Sequence, residues 1–128
     1  MIQNLFASQI WKRSLNIESS IKDKILNSIE EDFQQNTSYL HPFWNCNVNT
    51  THIRQTNIDY SLLIPYFKNE YETFANQLNL NKHAYEILNP WYNYYLMGYN
   101  QEYHDHIGKH SELYSAVYFL KITDDNPK

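Results

Sequence analysis

Isoleucines at positions 17, 21, 25 and 29, followed by Phe33, recur every four residues, with Leu26 beside them and charged residues on the opposite side. An apolar row at that interval follows one face of an α-helix. The spacing predicts an amphipathic helix over residues 17–35, with Asn16 as its N-cap. A second row, Leu63, Phe67, Tyr71, Phe74 and Leu78, steps by four, four, three and four. It predicts another helix, capped by Asp59 or Ser61 and ending near Asn79, with Pro65 marking a start or a kink in its first turns.

Elsewhere the period drops toward two. The run NLFASQIW at 4–11 reads as a strand, and the alternation Trp44, Cys46, Val48 suggests another. From Ala84 onward Tyr, Val, Ile and Phe become dense, and strands are expected near 84–88, 91–97, 99–105 and 114–122. Helices first and strands afterwards make an α+β arrangement. At 128 residues the chain is read as one domain, with a helical and strand part over 1–82 and a sheet core over 83–128.

Composition narrows the function classes. The 12 Tyr, 6 Phe and 3 Trp outweigh what a small core needs, and each tyrosine hydroxyl asks for a polar partner, which places many of these rings at core edges or along a cleft. A net charge of −4, without any Lys/Arg run beyond Lys12-Arg13, disfavours nucleic acid as a direct partner. No apolar stretch reaches the roughly 20 residues of a membrane span, and the opening MIQNLFASQIWKRS lacks a signal-peptide pattern, so a cytoplasmic protein is expected. The single Cys46 allows no disulfide framework and no cysteine zinc site, and reads as a small buried hydrophobe.

The candidate chemistry lies in three histidines within seven residues: His104, His106 and His110. On a strand, residues two apart share a face, so His104 and His106 can reach one metal ion while Asp105 points the other way. Imidazole binds iron, zinc, copper or nickel, and two ligands do not choose among them. His110 follows a Gly-Lys pair and is read as a loop residue facing solvent or substrate. The chain holds no Gly-rich phosphate loop, no G-x-S-x-G and no H-E-x-x-H.

The surroundings of that pair add a resemblance. Trp91, Asn93, Tyr95 and Gly98, then Gln101, His104 and His106, then Ser115 to Leu120 (SAVYFL) resemble the core W-x-N-x-Y-x-x-G, Q-x-x-H-x-H and S-G-V-Y-Y-L of the phage and bacterial 2-oxoglutarate- and Fe(II)-dependent oxygenases. The resemblance implies a double-stranded β-helix of jelly-roll or cupin type, with the amino-terminal helices packed on its sheet. It implies Fe(II) as the metal and 2-oxoglutarate as a small-molecule cosubstrate. His104 would be the first metal ligand, and His106 would stand where relatives with His-x-Asp place a carboxylate. Tyr95 would steady 2-oxoglutarate, with Asn93 in a supporting place. The primary substrate is left open.

Two departures accompany it. Ala116 stands where that family has glycine. The family's later strand, with a final histidine and an Arg or Lys for the far carboxylate of 2-oxoglutarate, has no counterpart before Lys128. The β-helix is therefore expected to be incomplete, as in a fragment, a shortened gene product or half of a split protein. Such an unpaired edge invites a complementing chain or a second copy, and a non-catalytic binding or assembly module is the alternative. A cupin is the other: Glu112 would join the metal set, with Phe119 standing where that motif has its second glycine.

Overall fold

The computed structural model describes residues 10–80, 87, 90–102 and 115–122. Four regular elements occur among them: α1 (Ser19–Gln35), β1 (Asn49–Thr50), α2 (Ile64–Gln77) and β2 (Asn93–Tyr94), with a 3-10 turn at Tyr60–Leu62 leading into α2. The result is a small α+β fold. No helix among the described residues is long and apolar enough to cross a membrane.

α1 follows its isoleucine row. Ile25 is 2 % exposed, Ile17 and Ile29 are buried with it, and Phe33 at the end of the row stacks on Tyr94 at 4.0 Å between ring centres. The helix begins two residues later than the pattern predicts. The Glu18 carbonyl receives the first backbone bonds, from Ile21 and Lys22, and no side chain caps the turn, so Asn16 lies outside it. Ile17 still reaches the core from the residue preceding that cap.

α2 itself is entered from Leu63 without a side-chain cap, so the cap expected from Asp59 or Ser61 falls a turn earlier, on the 3-10 turn that follows Asp59. The Asp59 carboxylate accepts from the Ser61 backbone N–H at 3.2 Å, and Pro65 occupies the first turn of α2, where no intrahelical N–H is required. The helix closes with a Schellman motif: Leu80 N–H donates to the Ala75 carbonyl, Asn79 N–H donates to that of Asn76, and Asn79 takes a left-handed φ of 52°. Leu63 and Phe67 of the second apolar row join the core that α1 builds, together with Ile58 and Tyr92.

The sheet differs from expectation. β1 and β2 pair antiparallel, Asn49 with Tyr94 and Thr50 with Asn93, and this two-stranded ladder is the whole sheet among the described residues. The double-stranded β-helix implied by the resemblance is thus overturned: 44–48, 99–102 and 115–122, all expected in strands, carry no ladder. The parts of the expected strands at 4–9, 84–86, 88, 103–105 and 114 lie outside the described residues. Segment 115–122 keeps a strand's alternation, with Tyr118 and Leu120 against the core and Val117 and Phe119 exposed. Lys121 ties it to Glu30 of α1 at 2.8 Å. High β propensity reports fitness for a pleated, half-buried surface, and a ladder forms only where a neighbouring strand is present.

Candidate functional site

The segment that runs toward the histidine pair begins at β2, where side chains alternate between two environments. Tyr92 and Tyr94 turn inward, Tyr92 buried and Tyr94 onto Phe33. Trp91, Asn93 and Tyr95 share the other face, as period-two geometry requires. After Tyr95 the chain reverses: Tyr99 N–H donates to the Leu96 carbonyl at 3.0 Å, and Gly98 has a φ of 81°. That angle at the third turn position is the type II requirement for glycine. Nothing lies within 4 Å of where a Cβ would stand on Gly98, so backbone conformation rather than space demands the glycine.

The turn is clasped from the other side by Asn47. Its N–H donates to the Asn100 carbonyl at 3.1 Å, its side-chain amide donates to the Gly98 carbonyl at 3.4 Å, and its side-chain carbonyl accepts from Asn100 N–H. Asn45 N–H donates to the Glu102 carboxylate at 3.2 Å. The stretch 44–48, expected as a strand, therefore does lie beside the 98–102 segment, held by one backbone bond and by the Asn47 and Glu102 side chains in place of a ladder. Within that segment the Tyr95 hydroxyl donates to the Gln101 side-chain carbonyl at 2.7 Å. Tyr95 is 44 % exposed. Its hydroxyl loses enough hydration for its pKa to rise, so it stays a proton donor at neutral pH.

His104 and His106, with His110, Asp105 and Glu112, lie outside the described residues. Tyr95, the expected cosubstrate residue, is described and stands one turn away along the chain. Among the described residues no group of three His, Cys, Asp or Glu side chains gathers in a way that could hold a metal. A pair of imidazoles suits divalent iron by donor type. Cys46, expected as a small buried hydrophobe, is free and only half-buried.

Two clusters lay beyond sequence reasoning. In the first, Arg54 grips Asp32 with both terminal nitrogens, one contact being 2.8 Å, while the Tyr92 hydroxyl donates to the same carboxylate and accepts from Arg54 at 3.3 Å. The Arg54 guanidinium also lies over the Tyr39 ring at 5.3 Å. The hydrogen bonds from Arg54 hold the Asp32 carboxyl below its ordinary range against the opposing effect of burial. Burial and the neighbouring carboxylate push the Tyr92 phenol far above its ordinary value, so it remains protonated. Arg54, largely buried and committed to Asp32, is not free to meet a ligand carboxylate.

The second is a set of rings. His41 stacks on Trp44 at 4.0 Å with 18° between planes; His52 lies 4.6 Å from Trp44 and 5.7 Å from His41, and Trp91 meets His52 edge-on at 4.9 Å. His41 is 5 % exposed, and its Nδ1 accepts from Phe43 N–H at 3.3 Å. An accepting Nδ1 puts the ring proton on Nε2, and that buried Nε2 has no hydrogen-bond partner. Burial lowers the His41 pKa. The spacing of Trp44, His52 and Trp91 gives no local signal of this meeting, because 39 residues separate His52 from Trp91.

Searched against family models, curated proteins and solved structures, the chain matches none.

Proposed function

We propose that the chain carries part of an Fe(II)- and 2-oxoglutarate-dependent oxygenase site, to which His104 and His106 contribute imidazole ligands and Tyr95 a contact to the cosubstrate. The observation that carries the reading is the bond from Tyr95 to Gln101: two members of the motif meet across a turn built on a third, Gly98, and Gln101 stands three residues before His104. In such a site iron, 2-oxoglutarate and dioxygen together supply the oxidising power for attack on a substrate C–H bond. This chain's share is to bind and orient. A protonated Tyr95 hydroxyl can exchange Gln101 for a carboxylate oxygen of the cosubstrate, and the Asn47 clasp limits how far the turn can move while that happens. A single cysteine suits a reducing, cytoplasmic setting.

Anaerobic titration with Fe(II), with and without 2-oxoglutarate, tests the proposal. A visible charge-transfer band is expected only with both, and His104→Ala should abolish metal uptake. Tyr95→Phe should keep metal uptake and weaken 2-oxoglutarate about fivefold, the worth of one hydrogen bond. The proposal fails if no band forms and His104→Ala takes up as much metal as the parent.

An assembly role is a second reading, favoured by the exposed Val117, Phe119 and Ile122 on an extended segment with no backbone hydrogen bond to other described residues. A second copy pairing antiparallel about Phe119 would set Val117 opposite Lys121 and avoid a lysine pair. Sedimentation should then give a dimer that Phe119→Ser dissociates; a monomer at every concentration removes this reading.

A further inference from the structure

A phenol carries one O–H donor, and a carboxylate can only accept. The Tyr95 hydroxyl gives its proton to the Gln101 side-chain carbonyl at 2.7 Å, the ordinary length of a sound O–H···O bond. A carboxylate ligand that comes to Tyr95 therefore competes with Gln101 for the same hydrogen. Both side chains can be reached from solvent, since Tyr95 is 44 % exposed and Gln101 is half-buried. Tyr92 differs: its hydroxyl is held by Asp32 beside Arg54, and the residue is buried.

The chain on either side of Gln101 gives that competition its weight. Asn100, immediately before it, is held by Asn47 at both its N–H and its carbonyl. Glu102, immediately after it, is tied through its carboxylate to Asn45 N–H at 3.2 Å. The turn at Gly98 folds this tethered stretch back toward Tyr95. The Gln101 amide thus swings on a fixed base, and it returns to Tyr95 at an effective concentration that a free ligand has to outcompete. We infer that Gln101 is an internal stand-in for the ligand carboxylate: its amide occupies the Tyr95 donor until a ligand displaces it, and so sets the affinity for the cosubstrate below what Tyr95 alone would give. The inference rests on the reading of Tyr95 as the contact to 2-oxoglutarate. A neutral amide suits the task, because it accepts the phenol proton as a carboxylate does and adds no charge to repel the incoming anion.

Anaerobic titration of the Fe(II)-loaded full chain with 2-oxoglutarate, followed by the charge-transfer band, tests the inference. Gln101→Ala removes the competitor and should tighten 2-oxoglutarate about fivefold, the worth of one hydrogen bond. Gln101→Glu keeps an acceptor on Tyr95 and adds a like charge, so it should bind more weakly than the parent. Tyr95→Phe offers no proton to compete for. Adding Gln101→Ala in that background should therefore leave the affinity unchanged, as a double-mutant cycle reads directly. A residue that merely braced the turn would give the opposite sign, with Gln101→Ala weakening the cosubstrate whether or not the Tyr95 hydroxyl is present. Circular dichroism checks that each variant is folded. If Gln101→Ala is not, Gln101→Met, similar in length and without the amide, should show the same tightening. The inference is overturned if removing the amide leaves 2-oxoglutarate affinity unchanged or weaker, or if the tightening persists in the Tyr95→Phe background. In either case a band in the parent leaves the oxygenase reading standing. A parent that forms no band removes that reading and this inference with it.

Discussion

Replacing Asp32 by Ala should destabilise the fold more than loss of any other single charge among the described residues. The Asp32 and Arg54 side chains are 17 % and 15 % exposed, so the pair is neither a solvated surface bridge, worth about 0–1 kcal/mol, nor a fully desolvated one, whose rupture costs about 3–5 kcal/mol. Removing the carboxylate strands a largely buried guanidinium, whose Nε already lacks a partner, and takes the acceptor from the Tyr92 hydroxyl. Loss of a charge-assisted bidentate contact and one phenolic hydrogen bond, tempered by the remaining solvent, gives about 2–3 kcal/mol. Urea denaturation at pH 7 reads that as a lower midpoint with an unchanged slope. Asp32 also confers a pH dependence. Its pKa is lower folded than unfolded, so the unfolded chain binds more protons near pH 4. The stabilisation is complete above the unfolded value of about 3.9 and is lost as pH falls through the folded value. A loss under about 0.5 kcal/mol, or a variant with the parent's acid profile, would refute the assignment of this cluster as the joint between α1 and the sheet.

Other outcomes follow from single positions. Ile25→Ala, at the centre of the α1 row, should cost about 2–4 kcal/mol in the same assay. Asn79→Ala should cost about 1 kcal/mol at the left-handed end of α2, and Asn79→Gly should cost nothing, a contrast that thermal melts resolve. The His41 pKa is depressed by burial, so the folded state loses stability as pH drops below about 6.5 toward the lower folded value; His41→Phe should flatten the profile between pH 7.5 and 5.

The two helices were legible because their signal is local. Ile21, Ile25 and Ile29 repeat at the helical interval, and Asp59, Pro65 and Asn79 mark the ends of α2 within a few residues of the observed ones. The sheet was not, because pairing is a relation between distant segments. Trp44, Cys46 and Val48 alternate as a strand should, yet that stretch is attached by the Asn45 N–H on the Glu102 carboxylate and by the backbone and side chain of Asn47, and the ladder falls on Asn49 and Thr50. For the site, Tyr95, Gly98 and Gln101 were identified from one contiguous motif and are joined by one turn. Asp32, Arg54 and Tyr92 lie 22 and 38 residues apart along the chain and carry no motif. His41 and His52 were passed over because a histidine outside the cluster at 104–110 gives no sign of its neighbours until the chain folds.

The brevity of the ladder has a topological consequence. Pairing Thr50 with Asn93 closes a loop that contains the whole of α2, and closing about 40 residues costs roughly 3 kcal/mol of chain entropy. Two residue pairs at about 1 kcal/mol per hydrogen bond do little more than match that cost. The ladder is therefore no independent nucleus. It is held in place by contacts around it, among them those of Asp32 on α1 to Arg54 and Tyr92 on the two sides of the closure. Cutting the backbone inside the loop, beyond Arg54, would remove that entropic tether and leave Asp32 and Arg54 on one piece, joined to the other by the short ladder, the Tyr92–Asp32 hydrogen bond, the Phe33–Tyr94 stack, the Asn47 clasp and the shared core, so the chain's tolerance of a nick measures how far these contacts hold it shut.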